Sequence, residues 1–149
     1  MKNIIRICAL IVIVSFFCPF FMVSCQGLEE DISGFNLAQG TDYSDGNIIV
    51  LAIVVIAVAV FVVASVESLN PFSKMVNIGG SAVGLMLLVY TYNSVMGEAQ
   101  KQGVSRYIEV RYGFWGCVLG YAAILGLTLY TQHIESKALS NVNSDIYDE

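Results

Sequence analysis

Four stretches of this chain contain no Asp, Glu, Lys or Arg, and their lengths decide what it can fold into. They run from Ile7 to Leu28, Gly46 to Val66, Met75 to Gly97 and Tyr112 to Ile134, which is 22, 21, 23 and 23 residues. All 19 charged residues occupy the other 60 positions. An ionised side chain at a bilayer centre costs roughly 3 kcal/mol or more, so charges punctuate spanning segments. A helix needs about 20 apolar residues to cross a hydrocarbon core of roughly 30 Å at 1.5 Å per residue. Each stretch supplies that length. The second is rich in Ile and Val and would suggest a strand in water, yet a lone strand in lipid leaves its backbone hydrogen bonds unmade. The expected fold class is an all-α membrane protein, a bundle of four transmembrane helices at about 4–23, 47–66, 75–96 and 112–132.

Composition agrees. The 149 residues are 56% hydrophobic and 13% charged, against about 25% charged in a typical soluble domain. A net charge of −5 with only 7 Lys and Arg leaves no basic stripe for a phosphate backbone, which excludes nucleic acid as a partner. No internal repeat divides the chain, so residues 1–149 read as a single transmembrane domain. Residues 133–149, ending in Asp145-Ile146-Tyr147-Asp148-Glu149, read as an acidic, mobile cytoplasmic tail.

The loops are unequal. Ser24 to Gly46 is long and polar, Glu67 to Lys74 is tight and Gly97 to Arg111 is intermediate. With four spans the long and intermediate loops share one side, and both termini share the other with the tight turn. Lys2, Arg6, Lys74 and Lys137 stand on the terminal side against Lys101, Arg106 and Arg111 opposite. With the basic Lys2/Arg6 stretch ahead of the first apolar run, this bias directs both termini to the cytoplasm. Met22-Val23-Ser24-Cys25 also stands where a secretory lipoprotein places its lipid-accepting cysteine, so cleavage with lipidation of Cys25 is the alternative to an uncleaved first span.

Small residues specify helix contacts, because without water between helices close backbone approach drives association. Gly80 and Gly84 in the third span, and Gly116 and Gly120 in the fourth, each have the spacing of four that forms such a face. The expectation is that the third helix packs on the fourth through them, with a homo-oligomer seam as the alternative.

On the outer side, Arg106 to Tyr112 alternates amphipathic and apolar residues with the period of a short strand. Ser33-Gly34-Phe35-Asn36-Leu37 could pair with it. The expected result is a small extracytoplasmic cap joining loops 1 and 3, built from Cys25, Gly34, Phe35, Leu37, Tyr107, Glu109, Arg111 and Trp115. Tyr107, Tyr112 and Trp115 also suit an interfacial aromatic belt.

No catalytic constellation emerges, and neither an enzymatic activity nor a cofactor or metal is expected. His133 is the sole histidine and has no second His or Cys at metal-ligand spacing. No carboxylate lies within a span to couple an ion gradient. Cys18 and Cys25 are seven residues apart, unlike the vicinal Cys-x-x-Cys of disulfide chemistry, which leaves a thiol oxidoreductase as a minor alternative.

The run Phe17-Cys18-Pro19-Phe20-Phe21-Met22-Val23-Ser24-Cys25-Gln26-Gly27, followed by Ser33-Gly34-Phe35-Asn36-Leu37-Ala38-Gln39-Gly40, resembles the opening of a group of small bacterial four-span membrane proteins. Their last span often begins as Tyr112-Gly113-Phe114-Trp115 does here. The resemblance covers about 30 residues in two places. The chain departs from the group at Cys18, where Leu is usual, and in the acidic Glu29-Glu30-Asp31 insert. The resemblance implies a four-span topology and a bacterial inner membrane, and it carries no activity. The resulting expectation is an accessory, scaffold or sensing subunit of a membrane complex, in contact with the lipid bilayer and with a protein partner or further copies of itself. The alternative is a small oligomeric channel or transporter.

Overall fold

The computed structural model describes residues 2–25, 28–40, 46–66, 70–101 and 108–147. Helix α1 (Lys2–Phe17) is followed by strands β1 (Pro19–Cys25) and β2 (Leu28–Ser33) and the short helix α2 (Gly34–Gln39). A 3-10 turn at Ile48–Val50 leads into α3 (Leu51–Ser65). Then come α4 (Asn70–Lys101), strand β3 (Ile108–Val110) and α5 (Tyr112–Tyr147). Among the described residues, three segments are long and apolar enough to cross a membrane: Ile48–Ser65, Ser73–Lys101 and Tyr112–Ile134.

The first span departs from expectation. Instead of continuing to residue 23, α1 stops at Phe17, and its 16 residues rise about 24 Å, less than the roughly 30 Å of a hydrocarbon core. Pro19 is the cause: it has no N–H to donate and disfavours helical backbone at the residue before it. The Cys18 N–H turns back to the Ser15 carbonyl at 3.1 Å, and the chain proceeds as a strand. Its backbone groups are satisfied in a three-stranded sheet of order β2-β1-β3, antiparallel throughout.

Two other boundaries move. Helix α4 begins at Asn70, with Pro71 in the first turn, where its missing N–H costs nothing. Helix α5 runs beyond residue 132 to Tyr147, so the segment expected as a mobile acidic tail continues the helix.

Helix α1 packs against α3 and α5, and α4 packs against the same two. Val12, Phe16, Ile53, Val60, Leu88, Tyr121 and Ile124 fill the interior and are fully buried. The Tyr121 hydroxyl reaches across to donate a hydrogen bond to the Ile53 carbonyl of α3. Buried Ser81, Thr91 and Thr128 each donate to a carbonyl four residues back on their own helix, the usual way for a hydroxyl to be satisfied without water. Val55, Met86 and Leu119 point outward, as lipid-facing side chains would.

The glycine faces meet partners other than those expected. Gly116 and Gly120 do not face α4. A Cβ on Gly116 would collide with Ser15, and one on Gly120 with Val12, both on α1. Gly80 lies 3.2 Å, measured from the same hypothetical atom, from Ile56 and Val60 of α3. Only Gly84 joins the third span to the fourth, where its missing side chain makes room for the Tyr121 ring. Short α1 is therefore the helix that α5 approaches most closely through glycine.

At the opposite end from the sheet, Arg6 of α1 donates from Nε to the Ala64 carbonyl at 2.9 Å and from its guanidinium to the Ser65 carbonyl at 3.5 Å. These belong to the last turn of α3, whose final carbonyls lack intrahelical donors. A cation there also complements the helix dipole. Arg6→Ala is expected to lower stability by about 1 kcal/mol, read as a drop in melting temperature in detergent. A melting temperature equal to the parent's would show that water caps α3 equally well.

Candidate functional site

The sheet and α2 form a cap over one end of the helices. Strand β1 is central. Its register with β2 runs from Pro19 opposite Ser33 to Cys25 opposite Leu28, with an irregularity between Pro19 and Phe21. On its other edge Phe21, Met22 and Val23 face Val110, Glu109 and Ile108. Loop 3 therefore does contribute a strand, but its partner is the segment expected to end the first helix, and not Ser33 to Leu37. Gly34 to Leu37 instead start α2, where the Asn36 N–H donates to the Ser33 hydroxyl at 3.2 Å. Ser33 is both the last residue of β2, opposite Pro19, and the side-chain N-cap of α2, so the chain leaves the sheet there. Gly40 ends α2 with φ of 98°, a left-handed conformation suited to glycine.

An aromatic cluster ties this cap to the helices. Phe20 has its ring centroid 5.9 Å from Phe16 of α1 and 5.9 Å from Phe114 of α5, both edge to face. Phe21 is 5.8 Å from Phe114, and Phe114 also meets Tyr92 of α4 at 6.1 Å. Phe16, Phe20 and Phe21 are fully buried. Such pairs contribute about 0.5–1.5 kcal/mol each beyond area burial. Backbone also approaches closely here: a Cβ on Gly113 would lie 2.6 Å from the Pro19 carbonyl and 2.8 Å from that of Cys18. Glycine at the start of α5 is what lets the first residues of β1 cross it.

The expected cap residues divide into those that build the cap and those on its surface. Gly34 is buried where a Cβ would meet the Phe16 ring at 2.8 Å, and Leu37 is buried in the core. Cys25 closes β1. Phe35 is exposed, its ring 6.0 Å from Phe17, and Trp115 is exposed beside Phe114. Glu109 is exposed on β3. Arg111 follows it: its N–H donates to the Phe20 carbonyl at 2.7 Å and its guanidinium contacts the Met22 sulfur. Arg111 Nε stands 3.9 Å from the Asp31 carboxylate, an ion pair across the sheet. Both side chains are partly exposed, so the pair is worth well under about 1 kcal/mol. Tyr107 lies outside the described residues.

Beside this cap is a polar cleft that the sequence reading passed over. Its volume is about 240 Å³, and it lies where α2, the segment entering α3 and the sheet end of α4 meet. Asn47, Tyr90, Ser94 and Glu98 line it with Leu37 and Val50. The Asn47 N–H donates to the Leu37 carbonyl at 3.1 Å, which draws the two cleft walls together. The legible signal was the spacing Thr91, Ser94, Glu98, which places three oxygen-bearing side chains on one helix face.

Cys8, Cys18 and Cys117 are free thiols, and Cys117 donates weakly to the Val12 carbonyl at 3.6 Å. Among the described residues no three His, Cys, Asp or Glu side chains gather as a metal site. No family model matches the chain, and neither a curated protein nor a solved structure is significantly similar to it.

Proposed function

We propose that this chain is a four-span protein of a bacterial inner membrane that works as an accessory, scaffold or sensing subunit, with both termini cytoplasmic and the sheet cap outside. The observation that carries the reading is the aromatic lock beneath the cap. Phe16, Phe20, Phe21 and Phe114 join α1, β1 and α5 into one packed unit, which holds the strands as a fixed platform. On this platform β2 presents Glu29, Glu30 and Asp31 outward, a charged edge suited to a partner. Short α1 completes its crossing through the apolar first residues of β1, whose paired backbone is tolerated at that depth. Helix interiors filled by Ile53, Leu88, Tyr121 and Ile124 favour this reading over a pore through one copy.

Topology is tested by cysteine labelling on a cysteine-free background. Probes at Glu30 and Gln100 are expected to react with an impermeant maleimide from outside, and probes at Lys74 and Ser136 only after lysis. The reverse pattern would invert the orientation. The subunit role is tested by purification from native membrane under mild detergent. A reproducible, stoichiometric second protein supports it, and a pore-sized homomer with a polar central axis would replace it with the channel.

A further inference from the structure

Two contacts fix how α4 and α5 run past each other. Near the sheet the Tyr92 ring meets Phe114, with centroids 6.1 Å apart, and further along Gly84 makes room for the Tyr121 ring. Passing from the first contact to the second moves eight residues back on α4 and seven forward on α5, so the two helices are antiparallel. Seven more residues are close to two helical turns and return each helix to the same face. That step leads from Gly84 to Asn77 and from Tyr121 to Thr128, about 10 Å further from the sheet. Both residues are only 3% exposed, as side chains turned into the seam are. The Thr128 hydroxyl gives its proton to the Ile124 carbonyl at 2.7 Å, so its oxygen has only lone pairs left to offer. Oδ1 of Asn77 is buried and has no hydrogen-bond partner among the described residues, and the Ser81 hydroxyl one turn away is committed to the Asn77 backbone carbonyl. A buried oxygen left without a donor is costly.

We propose that an internal water molecule binds here between α4 and α5, donating one proton to Oδ1 of Asn77 and the other to the Thr128 oxygen. Two acceptors that share a level need a bridge with two donors, and water supplies both and is small enough for a closed seam. A metal ion or an ammonium would also serve two oxygens, but it brings a charge that an amide and a hydroxyl do not neutralise. A cation already stands at this level. Helix α3 passes α4 with Ile56 and Val60 against Gly80, which sets buried Ala64 level with Asn77, and the Ala64 carbonyl accepts from Arg6 Nε at 2.9 Å. The water ties α4 to α5 two turns beyond the Gly84–Tyr121 contact, whichever side of the membrane that end faces.

The full-length protein, carrying isotope-labelled asparagine in deuterated bilayers, is read by solid-state NMR for magnetisation transfer from resident water to side-chain amides. The Asn77 signal, identified by its loss in Asn77→Leu, is expected to receive such transfer and to receive less in Thr128→Val. Asn77→Ala serves the identification if the leucine variant does not fold. Melting temperature adds a test of sign. Leucine is close to asparagine in size and has no polar atom, so a water-bridged Asn77 loses by the exchange, by about 2–4 °C or more, whereas an orphaned oxygen gains. In a Thr128→Val background the loss is expected to fall below half, because both oxygens hold one water. A melting temperature unchanged or raised by Asn77→Leu overturns the proposal, and so do additive effects of the two substitutions. Coupling without transfer from water to Asn77 also overturns it, in favour of a direct bond between the two side chains.

Discussion

Gly120→Leu is expected to lower stability by about 1–3 kcal/mol or more, with α1 displaced from α5. A Cβ at this position runs into Val12 and comes within 3.3 Å of the Cys8 carbonyl. Val12 is fully buried, so neither group has room to retreat. Gly126, six residues on, has nothing within 4 Å of a hypothetical Cβ, and Gly126→Leu is expected to stay within about 0.5 kcal/mol of the parent. The pair holds residue type and helix constant and varies only what the position meets. Val12→Ala should recover part of the loss in a Gly120→Ala background, because the two sites share one contact. Rescue by Val12→Ala identifies α1 as the partner. Melting temperatures of Gly120→Leu and Gly126→Leu that coincide would show that the α1–α5 seam is not close-packed.

The outcome at Gly120 shows what a sequence of this kind discloses. That Gly116 and Gly120 form a close-approach face follows from their spacing alone, since residues four apart share a helix side. Which helix uses that face does not follow, because every span offers lipid-compatible side chains and the choice depends on the order in which helices close. Charge-free windows located the second, third and fourth spans well, because lipid forbids charge wherever the helix lies. The first failed at Pro19 for the complementary reason. A strand covered on both faces reads as a continuous apolar run, so Phe20 to Val23 looked like more helix. Pro19 is the visible signal of the break. The pairing of Phe21 with Val110 joins segments at opposite ends of the chain, and nothing local in either announces it. Thr91, Ser94 and Glu98 are readable as a stripe from their spacing, but the cleft also needs α2 and the segment entering α3, which nothing local in the sequence brings beside them.

The second large effect is expected at Phe20, where the cap is joined to the helices. Phe20 is fully buried and its ring touches those of Phe16, Phe21 and Phe114, drawn from α1, β1 and α5. Phe20→Ala opens a cavity at the junction of three elements, and such truncations cost about 3–5 kcal/mol when the site cannot collapse. Collapse is hindered here because the Phe20 carbonyl accepts from the Arg111 N–H at 2.7 Å, which pins the strand. Phe17 is the control. It lies three residues earlier, also contacts Phe16, and is 58% exposed, so Phe17→Ala is expected to cost less than about 1 kcal/mol. The two variants also differ in where the damage lies. Helices α3, α4 and α5 keep their own backbone hydrogen bonds in lipid, whereas the sheet has only its ladder and the aromatic ring stack beneath it. Hydrogen exchange in nanodiscs should therefore show faster exchange across β1 and β3 in Phe20→Ala, with α3 and the membrane part of α5 still protected. Uniform acceleration across all helices would mean that cap and helices unfold as one unit. Unchanged exchange in β1 would mean that the strands hold without the ring, and would remove the aromatic lock on which the platform reading stands.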